Sequence, residues 1–307
     1  MYNNKMIDII YFFIVLIIPI IIFFIKIQCK EKITSQDMFI SNEKFKEFNL
    51  APKIIWTYWH NMDDMPEFVR NCINTWSNVN PDYKINVLTK QTWNKYIELP
   101  YHIHTHPNFN DSHQRFSDLI RCSVLASYGG VWMDASCIIT EPLDYWLFPR
   151  ISEFSGVFIK QSTTINKYPV IENWFFACIK GSSFMKRWRD EFFQIANFES
   201  VDDYITSRKN MNVHFQKINM LNYLAMHISA QKILQYDKYP LQNLILRIAE
   251  DGPFKYHYDT NWKAYLGLQL ACKDNTYRWP FIKFTSNERN VINENIKEFN
   301  NTECKWF

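Results

Sequence analysis

Glycine is scarce in this chain, at 6 of 307 residues. A Walker-type phosphate loop and a G-x-G-x-x-G turn each need several glycines within a few positions, and neither occurs. Cysteine occurs 7 times but never as a C-x-x-C pair. An odd count without framework spacing favours reduced thiols, although one or two bridges stay open. Cys72, Cys122, Cys137, Cys178 and Cys272 stand among apolar or helical neighbours and read as small core residues. Concentrated charge is missing too. The 34 basic residues are scattered among 31 acidic ones, net +3, so no basic stripe suggests a nucleic-acid partner.

Hydrophobic residues make up 47% and aromatics 17%, enough for a large core. Residues 9–25, IIYFFIVLIIPIIIFFI, form an uncharged run. At about 1.5 Å per residue such a helix, with its flanks, spans a bilayer core. Membrane helices tolerate a proline such as Pro19. A cleaved signal peptide would end in small residues, whereas KIQCKEK follows here. A buried soluble helix is a further alternative. We read 1–28 as a single N-terminal membrane anchor, 29–50 as a polar stalk and 51–307 as the main domain. Lys26, Lys30 and Lys32 after the run lean toward a cytosolic domain. The sequons at Asn110 and Asn300 leave a lumenal one open.

The main domain starts with KIIWTYW, a branched and aromatic run that predicts a buried strand. Asp64, Pro66 and Glu67 then supply helix-start chemistry. Val69, Cys72, Ile73 and Trp76 predict a core-facing helix stripe. Tyr83, Ile85 and Val87 alternate as a strand does, and a short helix is expected over 92–97. This order predicts an α/β fold with a parallel sheet covered by helices. The next helix carries Asp118 and Arg121 and stops at Gly129-Gly130. VWMDA follows as a strand, which puts Asp134 at a strand's carboxyl end, where ligand crevices of open α/β sheets lie. An Asp-Arg pair at i, i+3 is by itself an ordinary surface ion pair. Asp134 beside it, ending an apolar strand, calls for a partner: a metal, an arginine or a ligand hydroxyl, unless it caps a turn. Beyond residue 149 a core strand or turn at IENWF, a helix through Phe184, Trp188 and Phe192, and mostly helical structure over 201–250 are expected.

PKIIWTYW, RFSDLIR, LASYGGVWMDAS and IENWF, in that order over residues 52–175, resemble the capsular-polysaccharide-synthesis glycosyltransferases. These belong to a wider group of DxD-containing GT-A sugar transferases, with fungal Golgi mannosyltransferases and glucosylating clostridial toxins. The resemblance implies a GT-A, Rossmann-like mixed sheet flanked by helices. It implies a nucleotide-sugar donor, a glycan or glycoconjugate acceptor, retention of configuration and Mn2+ or Mg2+. Residue by residue, it implies Asp134, Asp118 and Arg121 as the catalytic set. Trp56 matches the aromatic that stacks on the donor base, with Thr57, Tyr58, Gly129, Gly130, Ser136 and Asn173 also on the donor side. Asp134 and Ser136 match the metal-holding positions, and Ser is a poorer ligand than the carboxylate of the wider pattern.

Other clusters have plainer readings. His102, His104 and His106 would share one face of a strand as a zinc site does, or lie on an exposed loop. His257 and Asp259 among aromatics read as a carbohydrate-contact loop or as packing. Besides an enzyme, a silent sugar-nucleotide or glycan-binding protein and a tethered structural protein are open at this level.

Overall fold

The computed structural model describes residues 51–145, 152–263 and 281–297, with residues 266 and 270. The chain divides into Met1–Phe39 and Ile40–Phe307, and all described residues lie in the second unit. The apolar run at 9–25 lies outside them. Among the described residues no helix is long and apolar enough to cross a membrane.

The centre is a six-stranded mixed sheet in the order β2-β1-β3-β6-β5-β7. Its strands are β1 (Ile54–Tyr58), β2 (Lys84–Leu88), β3 (Gly130–Met133), β5 (Phe154–Ile159), β6 (Val170–Cys178) and β7 (Leu244–Ile248). β1 runs parallel to β2 and β3, as the element order predicted, but β6 runs antiparallel to β3 and β5, so the sheet is mixed rather than parallel. A two-stranded clip pairs β4 (Cys137–Ile139) with β8 (Phe281–Lys283).

The predicted order strand, helix, strand is present. Helix α1 (Glu67–Val79) buries Val69, Cys72 and Trp76, while Ile73 packs against the core from a half-buried position. Trp76 Nε1 donates to the Cys137 carbonyl at 2.8 Å, which ties α1 to β4. The expected helix over 92–97 shrinks to one turn, Trp93–Lys95.

Helix α2 (His113–Tyr128) is capped by Ser112 and ends at Gly129, with φ of 68°. Gly130 also has positive φ, 95°. A Cβ on Gly129 would stand 2.5 Å from the Lys180 nitrogen, and one on Gly130 2.6 Å from the Ile54 carbonyl oxygen. Left-handed backbone and close approach both demand glycine there.

Helices α3 (Ser183–Phe193), α4 (Val201–Asn210) and α5 (Ala225–Gln235) follow. Expectation and structure part at β7, inside the stretch read as helical. LILRI is a short apolar run, and periodicity alone cannot tell such a run from buried helix. Helix α6 (Ser286–Glu294) closes the described fold.

Successive strand residues face opposite sides of the sheet. Val131 and Met133 join Ile55, Trp76 and Phe175 in one core cluster. On the opposite face Phe154 and Phe176 pack against Phe184 and Trp188 of α3. The four described cysteines are free and buried, as their neighbours predicted; Cys272 lies outside the described residues.

Candidate active site

Strand parity places the first functional side chain. Asp134, just past β3, shares the parity of Trp132 and turns toward α2. Arg121 reaches from α2 and donates through Nη2 to Asp134 Oδ1 at 2.7 Å. Its Nη1 donates to Asp118, one helical turn earlier. Trp132 Nε1 donates to the same Asp134 oxygen at 3.1 Å, and the Arg121 guanidinium lies 4.9 Å from the Trp132 ring centre.

The β5–β6 register shifts between Gly156 and Phe158. The stretch of β6 freed by that shift carries Glu172, Asn173 and Trp174, all on the cavity wall. Irregular strands beside a site re-aim side chains in this way. Asn173 Nδ2 donates to Asp118 Oδ1 at 2.9 Å. Asp118, Arg121, Asp134 and Asn173, from three elements, therefore meet at a cavity of about 480 Å³. Ligand pockets typically enclose roughly 300–1,000 Å³.

The two aspartates sit in opposed electrostatic settings. Burial pushes the Asp118 carboxyl up to about 6, and Arg121 offsets that only in part. Burial also acts on Asp134, but Lys283 and Arg121 outweigh it and hold that carboxyl down at about 2. Neighbouring carboxyls with separated titrations are a mark of functional sites. With Asp118 and Arg121 buried and Asp134 partly exposed, the triad is also costly to keep, since desolvation offsets much of its attraction. Stability alone does not account for it.

The other expected donor-side residues divide. Tyr58 lines the cavity, as do its neighbours Trp59 and His60. Trp56 does not reach it. Its Nε1 donates to the Gly129 carbonyl at 3.1 Å, and its ring packs against Tyr96 and Tyr128. Thr57 is fully buried on the opposite face from Tyr58. Gly129 and Gly130 are explained by backbone packing and lie outside the lining. Ser136 is fully buried, and its hydroxyl donates to the Phe284 carbonyl at 2.9 Å.

Sequence reasoning missed the opposite wall. Lys283, ending β8, places Nζ 2.8 Å from Asp134 Oδ2 and 3.2 Å from Ser136 Oγ. Arg289 on α6 reaches the same hydroxyl at 3.4 Å and lies over Trp59. His227 on α5 faces Glu172 at 3.3 Å, both buried on the cavity wall. A lone lysine in FIK carries no spacing signal that could have revealed it.

A divalent cation at Asp134 and Ser136 does not suit this donor set. One carboxylate and one hydroxyl stand there, and both already face the Lys283 ammonium. Among the described residues no group of three or more His, Cys, Asp or Glu is arranged to hold a metal. His102 and His104 fall on the one-turn helix Tyr101–His104 and His106 caps the next, Pro107–Asn110, so alternate positions no longer share a strand face. His257 is buried and packs against Trp262 and Phe284, whereas Asp259 is exposed and pairs with Lys255 at 2.6 Å.

Residues 16–254, well over half the chain, match the family described as capsular polysaccharide synthesis protein. A curated relative, O-glycosyltransferase braB of Annulohypoxylon truncatum, is 27% identical over 159 residues, 46% of this chain. The match spans 37% of that relative's length. Among solved structures, the PaToxG glycosyltransferase overlaps with TM-score 0.40 at 15% identity, covering 82% of this chain and 87% of that one. A glycosyltransferase involved in glycosylation of the PBCV-1 major capsid gives 0.40 at 8% identity, covering 80% and 100%. Overlaps of this depth assign no residue roles.

Proposed function

We propose, since the chain belongs to the capsular polysaccharide synthesis protein family and is a glycosyltransferase, that its cavity takes a nucleotide-sugar. The sugar then passes to a glycan or glycoconjugate hydroxyl. The observation that carries this reading is the meeting of Asp118, Arg121, Asp134 and Asn173 at one cavity. Fixed carboxylates and amides suit sugar hydroxyls, because each hydroxyl both donates and accepts. Flat rings at Tyr58 and Trp59 suit a base or a sugar face.

In the transfer the anomeric C–O bond to the diphosphate breaks, and its electron pair leaves on the phosphate oxygen. The acceptor oxygen bonds the anomeric carbon, and its proton departs with the diphosphate. Cations fixed beside that oxygen stabilise the charge as it forms. We expect attack on the leaving-group face and therefore retention. Residues 9–25 hold the domain to a membrane, where a growing glycan or glycoconjugate is met.

The test is nucleoside diphosphate release from a nucleotide-sugar panel. Asp134→Asn should lower turnover by about 100-fold or more, within the range for losing one preorganised electrostatic contact, with the fold kept by circular dichroism. Unchanged turnover would remove Asp134 from the site. Binding without release would point to a silent sugar-nucleotide-binding protein. Inversion at the anomeric carbon, read by proton NMR of the product, would exclude retention.

A further inference from the structure

We propose that the Lys283 ammonium, with the Arg289 guanidinium beside it, takes the place of a divalent cation at this site. It binds the donor diphosphate and receives the leaving charge, so donor binding needs no metal. The inference rests on reading the cavity as a donor site.

Position is the first argument. Lys283 Nζ stands between Asp134 Oδ2, at 2.8 Å, and Ser136 Oγ, at 3.2 Å. Those two side chains occupy the places where a cation-holding pair would offer two carboxylates. Here one carboxylate remains, and one ammonium balances it. A magnesium or manganese ion bound to Asp134 would sit about 2 Å from its oxygen and so within a few ångströms of Nζ. Repulsion at that range would force one of the two cations out.

Preorganisation is the second. Lysine normally loses much side-chain freedom when it grips a phosphate. Lys283 is already buried, paired in register with Cys137 across the clip, and its carbonyl accepts from His257 Nε2 at 2.5 Å. Two of the three ammonium N–H groups are accounted for by Asp134 and Ser136. The residue lines the cavity, so the third is available to a phosphate oxygen.

Charge is the third. Arg121 is shared by two aspartates. The contacts of Arg289 are the hydroxyls of Ser136 and Ser286 and the face of Trp59. Its charge, on the same wall as Lys283, is met by no carboxylate among the described residues. That wall carries the spare positive charge a diphosphate requires.

Calorimetry on the detergent-solubilised full chain tests this, with UDP, GDP and inorganic pyrophosphate as probes. Each titration is run in EDTA and again in Mn2+. The expected result is a diphosphate Kd that differs less than about threefold between the two, with turnover that survives EDTA. Arg289→Gln, a substitution at a partly exposed position, should weaken the diphosphate about tenfold, as a lost charge-assisted contact would. Lys283→Met should weaken it more, with folding checked by thermal melting; if that variant does not fold, Arg289→Gln carries the test. Binding that appears only with Mn2+ or Mg2+, or an unaffected Arg289→Gln, overturns the inference and leaves the donor site standing. No binding of any probe in either condition overturns the donor-site reading, and this inference with it.

Discussion

At the scale of single residues, the sequence brought the ionic triad together but gave no sign of how the aromatic expected beside it packs. Asp118, Arg121 and Asp134 were legible because helix spacing and strand parity are fixed by backbone geometry. Trp56, expected to stack on a donor base, lies outside the cavity lining, since resemblance names a position but not which way its ring packs. The ring lies at 2% exposure between Tyr96, Tyr128 and the Gly129 carbonyl. Trp56→Ala should therefore cost about 3–5 kcal/mol of stability, as large buried truncations do. Chemical denaturation would measure it. Donor affinity of the surviving folded fraction should stay near wild type; selective loss of affinity with stability intact would return Trp56 to the site.

At the scale of elements, the segment from β8 through α6 decides whether the site is complete. It carries Lys283 and Arg289, and several bonds position it. The Phe284 nitrogen donates to the Ser136 carbonyl at 3.0 Å, while Ser136 Oγ donates back to the Phe284 carbonyl. Glu288 closes a capping box with Thr285 and faces His257 Nδ1 at 2.7 Å. Burial pushes the Glu288 carboxyl up, but His257 and the Thr285 contacts outweigh it, so its pKa lies below the ordinary 4.5. A depressed carboxyl contributes stability that is present above its unfolded value and is lost as pH falls through the folded one. Thermal melts should thus show the wild type losing its advantage over Glu288→Gln as pH drops below 4.5. A constant gap across that range would refute the assignment. The Thr285-x-x-Glu288 cap has a readable signature, but the clip before it does not, because a three-residue strand with an isolated lysine has no period to read.

At the scale of the whole chain, the sequence identified one half of the sheet better than the other. β1, β2 and β3 announce themselves by alternation, by turn residues and by a glycine stop. β7 does not, because a short run flanked by helices fits either state. The proposed attachment to a bilayer is a property of the whole molecule, and the apolar run at 9–25 is where it would reside. Placing aspartates at Val15 and Ile18 should shift the full chain from the membrane pellet to the soluble fraction on sedimentation, since each central charge costs about 2.5–3.5 kcal/mol on insertion. Continued pelleting would show that another part of the chain binds the bilayer.

The ion pair of Lys283 with Asp134 joins positions 149 apart in the chain. A ribosome therefore releases both aspartates and Arg121 long before their basic counterpart emerges. The wall opposite α2 therefore forms only once the segment carrying Lys283 has folded against it, and a polypeptide cut short before residue 283 would leave Asp134 without that partner.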